Sequence, residues 1–205
     1  MQALTRGPAP ACLGGFQHGR DPWDEVNKVA IWIELDQMQG GRCAYCETAI
    51  AQPACHIEHF RQRSRYPQGT FEWSNMFGSC NRSTTCGKHK DRVPVYPPES
   101  LLKPDVDDPM AYLLISDGVA VPRAELDGPA RHRAEETRRI FNLNDEALVW
   151  QRHAHAVGYR DQAEEFLALA DEYPEAEWLP LLEEEMRKVA HLPFVSAIRQ
   201  VLWPR

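Results

Sequence analysis

Three short stretches dominate this chain of 205 residues: Cys43-Ala44-Tyr45-Cys46, His56-Ile57-Glu58-His59, and the segment from Cys80 through Cys86 to His89. The first Cys-x2-Cys pair has the spacing that places two thiolates on one tetrahedral ion, and thirty-three residues separate it from the second pair. Four thiolates leave no open coordination position. The pattern therefore predicts a structural zinc site made by Cys43, Cys46, Cys80 and Cys86.

The bulk composition is that of an ordinary globular domain, with 43% hydrophobic and 26% charged residues. No apolar run approaches the roughly 20 residues that a membrane span requires, and the first residues lack the apolar core of a signal peptide. We therefore expect a cytoplasmic protein without a membrane partner. In that compartment thiols stay reduced, which favours metal binding over disulfides. Cys12 and Cys55 fall outside the metal pattern.

Charge is distributed unevenly along the chain. The formal net charge is −7, but the segment 56–92 holds seven basic and three acidic residues, which leaves +4 there and −11 elsewhere. A basic segment around the histidines suits a phosphate backbone. The acidic remainder fits a protein partner better than it fits nucleic acid.

The pattern of apolar residues predicts an α+β fold that is mainly α. We expect a flexible segment at 1–22, a cysteine-rich core with an N-terminal helix at 23–99, and a hairpin followed by a helical region at 100–205. The N-terminal helix should run from Trp23 to Gln39, where Gly40 and Gly41 stop it. The hairpin is predicted from Asp117-Gly118, which lies between two apolar runs. The buried face of the first helix is expected to comprise Val26, Val29, Ala30, Ile33 and Met38.

The residues between the cysteine pairs have the types needed for phosphodiester hydrolysis. A neutral histidine can deprotonate water, and a divalent ion can stabilise the developing charge and the leaving oxygen. We expect His59 as the base, Glu58 and His89 as ligands of the ion, and Asn75 as a brace of the intervening loop. His56, on the strand face of Glu58, and Asn81 are further candidates to complete the metal site.

Basic residues near the histidines are candidates for phosphate contacts. Arg61, Arg63 and Arg65 occur at every second position, so on an extended segment they would share one face. Lys88 and Lys90 flank His89 and are predicted to contact nucleic acid as well. The alternative is a solvated, charged strand edge.

The order Cys-x2-Cys, Glu-His, Asn, Cys…Cys and His resembles the HNH endonuclease family, whose catalytic unit is a zinc-bound ββα-metal (His-Me finger) core. The phrases at 39–47, 56–60 and 86–90 resemble the retron- and Septu-associated, PtuB-type nucleases of anti-phage defence, with weaker similarity at 136–144 and 193–194. The resemblance implies His59 as general base, Glu58 and His89 as ligands of Mg²⁺ or Mn²⁺, and Asn75 as the structural middle residue. Gly87 stands where many zinc-containing relatives carry an Asn.

The resemblance also implies partners. It predicts a PtuA-like ABC-type ATPase that docks on the acidic region after residue 100, a DNA substrate or a tRNA, and association with a retron reverse transcriptase/msDNA complex. Failure of the nuclease and the ATPase to co-elute would count against this assembly. Two alternatives stay open at this point: a non-catalytic zinc adaptor that binds nucleic acid or protein, and an autonomous restriction or repair nuclease.

Overall fold

A computed structural model describes residues 1–203. Its regular elements are seven α-helices and four strands in two antiparallel pairs. In chain order they are α1 (Lys28–Gln39), β1 (Cys55–His59), β2 (Met76–Cys80), α2 (Cys86–Lys90), β3 (Leu113–Ser116), β4 (Val119–Pro122), α3 (Gly128–Ile140), α4 (Glu146–Ala156), α5 (Arg160–Glu172), α6 (Glu175–Lys188) and α7 (Val195–Leu202). None of the helices within residues 1–203 has the length and apolar character needed to cross a membrane.

Helix α1 is shorter than predicted and buries a different face. Asn27 caps it by accepting a hydrogen bond from the Ala30 N–H, and Gly40 ends it in the left-handed conformation, with a φ of 59°. Ile31 and Leu35 are fully buried, whereas the predicted core residues Val29 and Ile33 are 68% and 53% exposed. That part of the prediction was wrong, because the helical period fits either stripe and only the packing of α1 on β2 selects between them.

Strands β1 and β2 pair antiparallel, with Cys55 opposite Cys80 and His59 opposite Met76. The knuckle at 43–46 docks on β2, where the Ala44 N–H donates to the Gly78 carbonyl. Helix α2 follows β2 after a five-residue connection. The chain thus places two strands and one short helix around the four cysteines.

The C-terminal half packs on this unit through one continuous apolar cluster. Tyr45 of the knuckle stacks on Phe141 with ring centroids 4.1 Å apart, and Phe77 of β2 lies in the same cluster. The predicted hairpin is confirmed as β3–β4. At its turn Asp117 and Gly118 both have positive φ, as a two-residue type I′ turn requires. The predicted helical C-terminal region is likewise present as α3 to α7.

The N-terminal segment, expected to be flexible, makes specific contacts in the structure. Arg6 forms an ion pair with Asp105 at 2.6 Å and donates a hydrogen bond to the Trp73 carbonyl. The Trp73 indole in turn donates to the Gly7 carbonyl. This segment therefore bridges the loop before β2 and the irregular stretch around residue 105, both distant in the sequence.

Candidate functional site

The four predicted zinc ligands converge. The sulfur atoms of Cys43, Cys46, Cys80 and Cys86 all lie within 4.8 Å of one another, and the residues are buried. Tetrahedral coordination with Zn–S bonds of about 2.3 Å needs sulfur atoms about 3.8 Å apart, and Cys46 and Cys80 lie at 4.0 Å. The cluster can therefore hold a metal such as zinc.

The chemistry of this donor set also suits zinc. The neighbouring thiols lower the pKa of Cys80, whereas burial and the same thiols raise the pKa of Cys46 and Cys86, so the cluster favours a thiolate at Cys80. Four thiolates complete a tetrahedral shell, so zinc bound here would anchor the knuckle to β2 and α2 and would supply no open position for chemistry.

His59 lies at the end of β1, buried but beside a cleft. Its Nε2 is 2.9 Å from the Thr70 carbonyl oxygen, so Nε2 must carry the proton and Nδ1 is left as the acceptor. The Trp23 ring packs edge-on against the imidazole with centroids 4.7 Å apart. Burial lowers the pKa of His59 to about 4, and the positive charge of Arg63 adds to the effect while the Thr70 hydrogen bond opposes it. His59 is therefore neutral at pH 7, with its tautomer fixed by the backbone.

Asn75 braces the loop that leads out of β1. Its side chain accepts a hydrogen bond from the Arg61 N–H at 2.7 Å and donates to the carbonyls of Arg61 and Gly69. Gly69 precedes Thr70, so the same amide that fixes the exit of β1 also fixes the carbonyl that orients His59. This is the bracing geometry that the sequence predicted for Asn75.

Glu58 is 2% exposed and is contacted by two basic side chains. Its Oε1 lies 2.6 Å from the ammonium of Lys90 in α2, and its Oε2 lies 3.2 Å from His56 Nε2. His56 and Glu58 therefore share one face of β1, as predicted. Asn81 Oδ1 lies 2.9 Å from the other ring nitrogen of His56. Asn81 therefore orients the His56 ring and does not contact Glu58 directly.

His89 does not join this group. Its Nδ1 is 2.9 Å from the Ile140 carbonyl at the end of α3. On α2, Lys90 follows Gly87 by three residues and shares its side of the helix, whereas His89 lies about 200° around the axis from Gly87. A Cβ built on Gly87 would lie 2.3 Å from Glu58 Oε2, so the Gly87 side of the helix is the one that faces the carboxylate.

The structure places the predicted nucleic-acid contacts in several different environments. Lys90 is fully buried, so its assignment as a nucleic-acid contact is wrong. The arginines do not share one strand face either, because β1 ends at His59 and the N–H groups of Arg65 and Tyr66 both bond to the Gln62 carbonyl in a turn. Arg63 and Lys88 are exposed and border the cleft beside His59, whereas Arg61 borders a separate cavity.

The cleft has a volume of about 710 Å³ and is open to solvent. Glu58 and His59 share it with aromatic and cationic groups, and its lining within residues 1–203 does not include His89. The Arg63 guanidinium and the Lys28 ammonium each lie 5.4 Å from the Trp23 ring. The lining residues that matter for charge and stacking are Trp23, Lys28, Trp32, His56, Arg63, Lys88 and Asp91.

Sequence reasoning missed three parts of this site: the pairing of Lys90 with Glu58, the packing of Trp23 on His59, and the close approach of Gly87. The i, i+3 spacing of Gly87 and Lys90 was the available signal for the pairing of Lys90 with Glu58 and for the close approach of Gly87. Nothing local signals the second, because Trp23 reaches His59 only through the tertiary packing of the segment before α1.

No protein-family model matches this chain, and no curated protein does so either. The assignment of function therefore rests on the residues and their geometry.

Proposed function

We propose that this protein is an HNH-like endonuclease that cleaves phosphodiester bonds of nucleic acid with His59 as the general base. The observation that carries the proposal is the state of His59: a neutral imidazole, fixed as one tautomer by the Thr70 carbonyl, at the edge of an open cleft. The placement of β1, β2 and α2 around a four-cysteine cluster supports an HNH-type ββα core.

The chain's own groups can perform three parts of the reaction. His59 Nδ1 takes a proton from a water molecule, and the resulting hydroxide attacks the phosphorus atom. The P–O bond to the opposite sugar oxygen breaks, solvent water in the open cleft protonates that leaving oxygen, and the imidazolium returns its proton to solvent. Arg63 and Lys88 attract the phosphate backbone and stabilise charge that develops on its oxygens. Thr70 and Asn75 hold the base in place, so that no reorientation of the imidazole is needed during the reaction.

The predicted Mg²⁺ or Mn²⁺ would supply Lewis-acid stabilisation of the phosphate if it were bound. Its expected ligands do not fit that role in this structure, because Glu58 is paired with Lys90, and His89 lies on the other side of α2 and does not line the cleft that Glu58 borders. The proposed mechanism therefore contains no step through a divalent ion. The ATPase partner, the retron complex and the choice between DNA and tRNA stay predictions from the resemblance.

Nucleic-acid binding at the cleft is testable by charge removal. The double variant Arg63→Gln/Lys88→Gln should bind a labelled oligonucleotide more weakly and reduce the slope of log K against log salt by about 2, because each lost phosphate contact removes about one unit. Fluorescence anisotropy over a salt series measures both quantities.

The matched control for this test is Arg187→Gln/Lys188→Gln, which removes the same charge from exposed positions of α6 that do not line the cleft. Its salt slope should equal that of the wild type. Equal losses in both double variants would show that binding responds to net charge alone, and would contradict the cleft as the binding site.

A further inference from the structure

The Glu58 carboxylate already has a cation. The Lys90 ammonium lies 2.6 Å from Glu58 Oε1, and neither side chain is more than 2% exposed. A carboxylate buried to this degree needs a positive partner, because an isolated buried charge is strongly disfavoured. Lys90 meets that need without any ion from solution.

The ammonium is also held by groups other than Glu58. Lys90 Nζ donates hydrogen bonds to the His59 carbonyl and to Asp91 Oδ1, both at 2.9 Å. These two acceptors use two of the three ammonium hydrogens, whereas the contact with Glu58 Oε1 at 2.6 Å is an ion pair without hydrogen-bond geometry. The Gln62 side chain in turn donates to the Lys90 carbonyl at 3.0 Å, which fixes the end of α2 against the loop after β1.

The remaining donors do not assemble a divalent-ion site at Glu58. His56 Nε2 lies against Oε2, and its other nitrogen contacts Asn81. Gly87, on the α2 side that faces Oε2, has no side chain to offer a ligand atom. Over residues 1–203, the four cysteines are the group of three or more His, Cys, Asp or Glu ligand atoms that converges closely enough to hold an ion.

We infer that Lys90 is the resident cation of Glu58, so that this carboxylate does not bind a divalent ion, and that Lys90 is a positioning residue for His59 through its hydrogen bond to the His59 carbonyl. The consequence for the reaction rests on the proposed function: cleavage by His59 should proceed without added Mg²⁺ or Mn²⁺. The statement about ion binding does not depend on catalysis.

The test is a titration of Mn²⁺ into the zinc-loaded protein, with free Mn²⁺ followed by electron paramagnetic resonance. In the wild type, Glu58→Gln should remove no Mn²⁺ site with a Kd below about 1 mM, which is the weak end of the range for carboxylate sites. The Lys90→Met variant frees the carboxylate, so its Mn²⁺ affinity should increase by roughly tenfold or more. The double variant Glu58→Gln/Lys90→Met should lose that gain.

The inference would be overturned if the wild type bound one Mn²⁺ per chain and Glu58→Gln did not. This comparison does not require that a Lys90 variant folds. Cleavage assays with and without added Mg²⁺ separate the two proposals. A Glu58-dependent requirement for Mg²⁺ would refute the inference and leave the nuclease proposal standing. Absence of both cleavage and Mn²⁺ binding would refute the nuclease proposal and leave Lys90 as the resident cation.

Discussion

The Cys43→Ser substitution is expected to abolish metal binding and the cooperative unfolding transition of the whole chain. Structural zinc contributes about 10–16 kcal/mol of apparent binding free energy in small zinc domains, which is comparable to the total stability of about 5–15 kcal/mol of a typical protein. Tyr45 lies in the same knuckle and stacks on Phe141, so the loss should extend to the C-terminal helices. Metal analysis and thermal unfolding by circular dichroism measure the two effects.

Cys55→Ser is the matched control, because Cys55 is a half-buried free thiol outside the cluster. It should retain one zinc per chain and unfold near the wild-type temperature. A wild-type protein that is stably folded after complete zinc removal would contradict the structural role of the cluster, as would a Cys43→Ser variant with unchanged stability.

The second large effect is expected at the buried pair of Glu58 and Lys90. Replacing either partner alone should lower the free energy of unfolding by about 3–5 kcal/mol, because it leaves a buried charge whose remaining neighbour, Asp91 or His56, is less buried than the partner that was lost. Glu58→Gln and Lys90→Met are suitable single variants, since each keeps the approximate side-chain volume. Denaturant unfolding of the zinc-loaded proteins gives the free energies.

The double variant Glu58→Gln/Lys90→Met serves as the internal control of this cycle. It leaves no buried charge from the pair unpaired, so it should be more stable than the sum of the two single losses predicts. Additive losses would mean that the two side chains do not interact in solution, and would remove the basis for treating Lys90 as the resident cation.

The parts of the structure that depend on local chemistry could be predicted from the sequence. The Cys-x2-Cys spacing fixes a knuckle, and the second pair could be matched to it because buried thiols in one small core have few other roles. Asp117-Gly118 supplies the positive φ values of a two-residue turn, which sets the β3–β4 register. Strand alternation likewise placed His56 and Glu58 on one face.

The parts that depend on tertiary contacts could not be predicted. The buried face of α1 was misassigned because helical periodicity does not say which stripe of the helix packs on β2. Lys90 was expected at the surface, since lysine is rarely buried. Lys90 is buried because it shares a side of α2 with Gly87, and that side packs closely against Glu58. A Cβ at Gly87 would lie 2.3 Å from Glu58 Oε2, so only glycine fits there. The turn after His59 could not be predicted, because arginines at every second position are compatible with a strand as well as with a loop.

The role of His59 as the base of a nuclease is tested by comparing nucleic-acid cleavage by the zinc-loaded wild type with cleavage by zinc-loaded His59→Ala. We expect the variant to cleave about 10²–10⁴-fold more slowly, the usual contribution of a general base, with unchanged zinc content and unchanged oligonucleotide affinity. Plasmid DNA, single-stranded DNA and tRNA should each be tried as substrate. Cleavage by His59→Ala at the wild-type rate would contradict the account, and absence of cleavage by the wild type on all substrates would favour a non-catalytic zinc adaptor.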